Sequence, residues 1–432
     1  MQRPTPIATA LSVVLLAGLS AACQRHDEAA QAAAEPAGPA SAASPAGSSA
    51  PATPAAPAPK AAPTDLAKLS ERVVTQSAGV KAGEIVLVTG QPADGELMEN
   101  LAVDVRKAGG FPIVLYDTDR LDKRMFFDVP AKYDSQPDKG TMALMGIADA
   151  VINVADGTTE NLFEGADPAR IAARGKAGEA VAQSIVKRGV RTIEIGNNLY
   201  PTPWRAERYG MDEDALSNLF WNGVNVDYSD VQRRGDTVKA ALAAGDEVHV
   251  TNPNGTDLKL RIKGRPVLVS DGVLSDAERK AGGAAASVYL PAGEVYTTPV
   301  AGSAEGKVVQ TRAYFRGKPI DNLTLTVSGG KVTALTGTGA GWADYKAAYD
   351  AVADARKDAF GFVDLGINPS VKLPSNSTVG TWVPAGAVTV GAGNNGWAGG
   401  DNLAPWATAM FLPGSTVTLD GKTIVDNGAL KL

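Results

Sequence analysis

The sequence predicts an α/β protein in two parts: a parallel-sheet α/β domain over residues 64–230 and a β-rich α+β domain over residues 231–432. Two patterns predict this. In the first part, apolar runs of four to six residues such as 85–88, 111–116, 151–154 and 192–195 alternate with stretches of helical spacing, the grammar of a parallel sheet covered on both faces. In the second part the hydrophobic period falls to two, with turns at Asn252-Pro253-Asn254-Gly255 and Ser328-Gly329-Gly330, which is hairpin grammar.

The chain has 432 residues, 44% hydrophobic and 20% charged, enough for about two or three globular units and a sizeable core. A formal charge of −6 leaves no cationic domain of the kind nucleic acid demands. Cys23 is the one cysteine, so neither an intramolecular disulfide nor a thiolate cluster is available. The imidazoles are His26 and His249, which makes histidine-based metal or acid/base chemistry scarce.

Taken in order, residues 1–22 carry Arg3, an apolar run and Ser20-Ala21-Ala22 before Cys23. This is a signal peptide, too short in its apolar run for a stable span. A cysteine directly after small residues resembles a bacterial lipobox, so Cys23 is expected to carry lipid. Gln24 after it resembles lipoproteins sorted to the outer membrane, facing the periplasm. Residues 23–63 are Ala/Pro/Ser-rich without aromatic or branched aliphatic residues, a composition that cannot bury a core and reads as a disordered tether.

Folding is expected from Asp65, where Leu66, Leu69, Val73 and Val74 fall at helical spacing. Next come the strand at 85–88, a helix over 95–108, the strand 111–116, a helix over 141–148, the strand 151–154, a helix over 167–187 and the strand 192–195. Helices over 212–221 and 228–244 lead to strands at 248–251, 258–262, 323–327 and 332–335, with a helix over 342–357. Thr89-Gly90-Gln91-Pro92-Ala93 lacks the phosphate-cradling glycines, so a nucleotide is not indicated. Gly391 to Gly396, GAGNNG, has the spacing but no helix follows; Gly399 and Gly400 break one, and a flexible loop over a cavity is the better reading.

Three stretches stand out: LPAGEVYTTP at 290–299, FVDLGINP at 362–369 and GAVTVGAGNNGWAGGDNLAPWATAM at 386–410. They resemble, in order, L-P-x-G-E-V-x-x-x-P, E-x-G-x-G-T-N-P, and G-T-x-H followed by N-x-S-x-x-H-x-D of the thermophilic-type metalloaminopeptidases, the aminopeptidase T family. GADPAR at 165–170 and YPTPW at 200–204 are also similar to that family. The resemblance implies an α/β domain followed by a β-rich domain enclosing a two-metal site in a homodimer. It lays the bridging metal ligand on Glu294 and the ligand or acid/base glutamate on Asp364, one methylene shorter. The family's remaining ligands fall on Thr389, Ala407 and Ala409, and its catalytic tyrosine falls near Asn395 or Gly396.

A hydrolytic metal centre needs about three to five N/O ligands, and a threonine and two alanines cannot supply the missing ones. The expectation is therefore an envelope lipoprotein with this fold, catalytically inactive, needing no cofactor and binding a peptide or small polar ligand. Asn394, Asn395, Trp397, Asn402 and Trp406 are the candidate binding groups, with filling of the core by the tryptophans as the plain alternative. The other reading is an active aminopeptidase releasing N-terminal residues, its site rebuilt from Glu294, Asp364 and Asp401 around divalent Mn, Co or Zn; all-oxygen donors suit manganese or magnesium better than zinc. His249, mid-strand, is expected to be structural.

Overall fold

The computed structural model describes residues 64–154, 159–377 and 379–432; the signal, Cys23, His26 and the tether lie outside the described residues. A helix at Leu66–Arg72, capped by the Asp65 carboxylate on the Lys68 N–H, continues as a wider turn through Val73–Ser77. β1 (Ile85–Gly90), β2 (Phe111–Tyr116), β3 (Ala150–Val154) and β4 (Arg191–Ile195) are all parallel, in the order β2-β1-β3-β4. Helices Gly95–Lys107, Lys139–Ile147 and Pro168–Arg188 make the crossovers. The central strands are buried, as a sheet covered on both faces requires.

Helices Pro203–Tyr209, Glu213–Val224 and Tyr228–Ala244 then lead to the antiparallel part. It comprises β5 (Glu247–Asn252), β6 (Thr256–Arg261), β7 (Val267–Ser270), β8 (Ser287–Leu290), β9 (Glu294–Thr297), β10 (Glu305–Phe315), β11 (Lys318–Ser328) and β12 (Lys331–Thr338). The helix Trp342–Ala351 intervenes before β13 (Phe360–Gly366), β14 (Val388–Gly393), β15 (Ala407–Phe411), β16 (Thr416–Leu419), β17 (Lys422–Asp426) and β18 (Ala429–Leu430). An eight-stranded sheet runs β12-β11-β10-β6-β5-β16-β17-β18 and a five-stranded one β15-β14-β13-β9-β7. The exception is β8, which returns to the first sheet and pairs in parallel with β4.

The mixed α/β class thus stands, with helices Asp119–Phe127, Pro203–Tyr209 and Asp276–Ala281 added to those the periodicity indicated. They were not legible because each is short, at most about two and a half turns, and is started by a side-chain cap rather than by an apolar stripe: Thr118, Thr202 and Ser275 each accept a backbone N–H. The helix expected over 342–357 stops at Ala351 and resumes as a 3-10 turn at Ala355–Asp358, where Asp354 accepts the Arg356 N–H.

Candidate site at the Glu294 strand

β9 follows β8 after only Pro291, Ala292 and Gly293, so the glutamate of LPAGE stands where the first and third sheets meet. The Leu290–Pro291 peptide is cis. Gly293 has φ +133°, and a Cβ there would lie 2.6 Å from Cβ and 2.8 Å from the backbone N of Asn368. Glycine is what lets the two motifs touch. Asn368 closes the contact by donating to the carbonyls of Ala292 (2.6 Å) and Gly223 (3.1 Å).

β13 lies between β9 and β14, and the register sets who faces whom. Asp364 stands opposite Tyr296 on one side and Thr389 on the other, while Gly366 stands opposite Glu294. Residues paired across strands, and those two positions along, share a face. Glu294, Tyr296, Phe362, Asp364, Thr389, Ala409 and Phe411 therefore belong to one side of the sheet, as does exposed Ala407.

Glu294 is 2% exposed and Asp364 0%. The Glu294 Oε1 accepts a 2.6 Å hydrogen bond from the Asn197 amide, which also donates to the Pro291 carbonyl at 3.0 Å. Asn197 sits in left-handed conformation (φ 43°) just past β4, a backbone state that asparagine tolerates better than most residues. Neither carboxyl oxygen of Asp364 has a hydrogen-bond partner, nor does the Thr389 hydroxyl. Burial, opposed by the Asn197 bond and reinforced by the Glu194 charge, raises the Glu294 carboxyl above its ordinary range. Burial and then the Glu294 charge raise Asp364 well above its own. Burial also pushes Glu194 up to about 7. Two adjacent buried acids cannot both ionise cheaply, so burial of each and the Glu294 charge on Asp364 both favour the protonated form.

The rest of that face is largely aromatic. Trp397 contacts Tyr296 (ring centroids 5.0 Å), Phe362 (4.8 Å) and Trp382 (5.5 Å), and Trp382 contacts Phe411 at 5.0 Å. The rings meet tilted or edge to face, the arrangement of a packed cluster. Ala398, Leu268 and Ala409 pack into the same cluster.

The other residues singled out in the sequence have different employment. Asn394 donates to the Ala404 carbonyl and accepts from Gly396, and Asn395 donates to the Gly361 carbonyl and accepts from Asn402. Asn402 donates to the carbonyls of Arg356 and Gly393, both at 2.8 Å. These three amides pin the 394–406 loop, so the flexible loop the sequence suggested is a held one. Trp406 donates to the Thr408 hydroxyl and lies edge-on to Tyr345 and Tyr349. Asp401 is exposed and does not join Glu294 and Asp364. His249 pairs with Asp257 at 2.7 Å on the β5–β6 hairpin. Among the described residues no three histidine, cysteine or carboxylate side chains converge as metal ligands do.

Sequence reading missed Asn197, Glu194 and the aromatic cluster. The available signals were Asn197-Asn198 directly after an apolar strand, at the carboxyl end where α/β sheets place their sites, and the two-residue steps from Glu294 to Tyr296 and from Phe362 to Asp364.

Fold and site together define a mixed α/β scaffold with buried carboxylates where its first and third sheets meet and, among the described residues, no imidazole beside them. The sequence model of the thermophilic metalloprotease (M29) family matches residues 63–341, well over half of the chain. The chain belongs to that family. Among solved structures it is similar to wild-type AmpT from Thermus thermophilus, with TM-score 0.64 and 15% identity over 85% of this chain and 99% of that one. It is also similar to a 2,5-dihydroxypyridine dioxygenase from Pseudomonas putida KT2440, with TM-score 0.52 and 15% identity over 85% and 98%. At such identity both likenesses speak for the fold alone. No curated protein sequence matches the chain.

The family implies a metal centre, and the donor set here does not fit one of its kind. Glu294, Asp364 and the Thr389 hydroxyl share this face, Ala409 lies among the aromatic rings, and among the described residues no three histidine, cysteine or carboxylate side chains group as the ligands of such a centre would.

Proposed function

We propose that this chain is an exported, lipid-anchored member of its family that does not cleave peptides and acts by binding a peptide or a small polar ligand. One observation carries the loss of hydrolysis: on the face where Glu294 and Asp364 lie, Thr389 stands opposite Asp364 and the neighbouring space is taken by the rings of Tyr296, Phe362, Trp382, Trp397 and Phe411. A face filled by rings, with a hydroxyl at Thr389 and methyls at Ala407 and Ala409, offers few donors to hold a cation or activate water. Fold does not decide the matter, since the two similar structures are a peptidase-family protein and a dioxygenase. Because the loop amides are already bonded to backbone, ligand contact falls to the half-buried faces of Trp397 and Trp406. Anchoring rests on the signal and Cys23; among the described residues no helix is long and apolar enough to cross a membrane.

A second reading, a metal-dependent aminopeptidase with a rebuilt site, is favoured by the unpartnered oxygens of Asp364 and Thr389. One experiment separates the two. Aminoacyl chromogenic substrates and short peptides are incubated with the purified protein, with Mn, Co or Zn added or with chelator. The proposal expects no release above buffer under any condition. Metal-stimulated release abolished by Glu294→Ala establishes the second reading. Fluorescence of Trp397 and Trp406 on titration with peptides tests the binding half, and a flat signal across a broad peptide set removes it.

A further inference from the structure

One row of side chains across the parallel sheet lies outside the Glu294 face. Thr89, Asn153, Glu194 and Tyr289 stand in register, each the last residue but one of β1, β3, β4 and β8. All four are partly exposed, while Val88, Ile152, Ile193 and Val288 on the sheet's other face are at most 3% exposed. Two residues earlier on the same face as the row, Leu87 and Val151 are sealed against Met145, Val181 and Ile185. One turn nearer its start, the helix Pro168–Arg188 continues that stripe with Ala177 and Gly178, both partly exposed and without the bulk to cover the sheet. A crevice is thus left at the carboxyl ends of the strands. It crosses β1 and β3, from which the chain leaves in opposite directions, toward β2 and toward β4, the position where open α/β sheets take up ligands.

The Thr89 hydroxyl donates to the Asn153 side-chain oxygen at 2.7 Å, so Thr89 keeps lone pairs and Asn153 its two amide hydrogens. The Glu194 carboxyl stands next, beside the Asn197 N–H, and Tyr289 ends the row with a ring whose hydroxyl meets that of Ser287. Acceptor, donor and acceptor thus follow one another at about 4.8 Å, the spacing of neighbouring strands, with an aromatic face at the end.

We propose that this crevice binds a neutral sugar, its hydroxyls on Thr89, Asn153 and Glu194 and its ring against Tyr289. A hydroxyl both donates and accepts, so it suits every polar position of the row. An anion would lie against Glu194 and within reach of the Glu294 charge. An ammonium would suit Glu194 but would face the Asn153 amide hydrogens. An extended peptide advances about 3.3 Å per residue and turns alternate residues away, out of step with the row. The site is separate from the Trp397 and Trp406 faces and stands whether or not the chain cleaves peptides.

Isothermal titration calorimetry of the full chain with glucose, N-acetylglucosamine, cellobiose and chitobiose gives the test. At least one is expected to bind in the millimolar range or tighter. Asn153→Ala and Tyr289→Leu should each weaken it at least about tenfold, and Ala177→Phe, which fills the crevice from the helix without removing a polar group, should abolish it. No binding by any of the four sugars at tens of millimolar overturns the proposal, as does binding that Ala177→Phe leaves at wild-type strength. If Asn153→Ala misfolds, the near-isosteric Thr89→Val decides, and wild-type affinity there overturns the proposal. Short neutral peptides that bind and lose affinity in these variants, where the sugars do not bind, make the crevice a peptide site and overturn it too. Peptide titrations read at Trp397 and Trp406 succeed or fail independently of every arm.

Discussion

The two flanks of β13 use glycine differently. On the β9 side, Gly293 omits a Cβ so that the backbone of Asn368 can approach, and the Glu294 motif is held by main-chain contacts. On the β14 side, a Cβ at Gly391 would meet the Thr408 carbonyl oxygen first and the Phe362 ring next, within 2.6 Å. One glycine serves the approach of the two motifs, and the other serves a strand approach and admits an aromatic ring as well. The framework is made by backbone geometry, which is indifferent to what the neighbouring side chains can ligate. The family's fold can therefore be kept whatever the neighbouring side chains are able to ligate, and retention of the fold is no argument for retention of the chemistry.

The largest expected effect sharpens that contrast on the aromatic side. Phe362 is 1% exposed, and Phe362→Ala should cost about 3–5 kcal/mol in chemical denaturation; a loss under about 1 kcal/mol shows that the rings are not packing together. On the framework side, Gly293→Ala combines a φ of +133° with the Asn368 clash and should cost about 3 kcal/mol. If it is tolerated, the tight approach is not what holds the motif.

The buried acids set a third test. A carboxyl raised in the folded state keeps a proton that the unfolded chain releases. Stability therefore falls as pH climbs from the unfolded carboxylate range, about 4, toward the raised folded values. Asp364→Asn should remove part of that fall and stabilise the protein by about 1–3 kcal/mol near pH 8, with little gain near pH 4. An asparagine variant less stable at pH 8 means that Asp364 is charged and partnered in solution. Next, Asn395→Ala, which deletes loop-pinning bonds to Gly361 and Asn402, should cost about 1–3 kcal/mol. The smallest effect belongs to Asp401→Ala, within about 0.5 kcal/mol because the side chain is exposed. A large change there, or one that appears only with added divalent metal, brings Asp401 back to the site.

The parallel sheet was readable because its strands are short apolar runs bounded by turn residues. Glu294 and Asp364 were readable because their motifs are built on glycine and proline, residues whose backbone demands survive divergence. Asn197 was not, since its contact with Glu294 spans 97 positions and no local pattern announces it. Nor was the state of the acids, which depends on what surrounds them: the sequence shows Asp364 but not that both its oxygens stand unbonded beside Tyr296 and Thr389. The tryptophans were visible as candidates, while the rings they pack against come from strands and loops far apart in the chain, which no local pattern joins.

That β8 belongs to the first sheet has a consequence for biosynthesis. A nascent chain cannot close the β4 edge until residue 290 has left the ribosome, so the amino-terminal half waits, with a raw strand edge, on sequence far downstream. Fragments ending near residue 230 should precipitate or recruit chaperones, and the whole molecule should melt as a single cooperative block, with no separable halves.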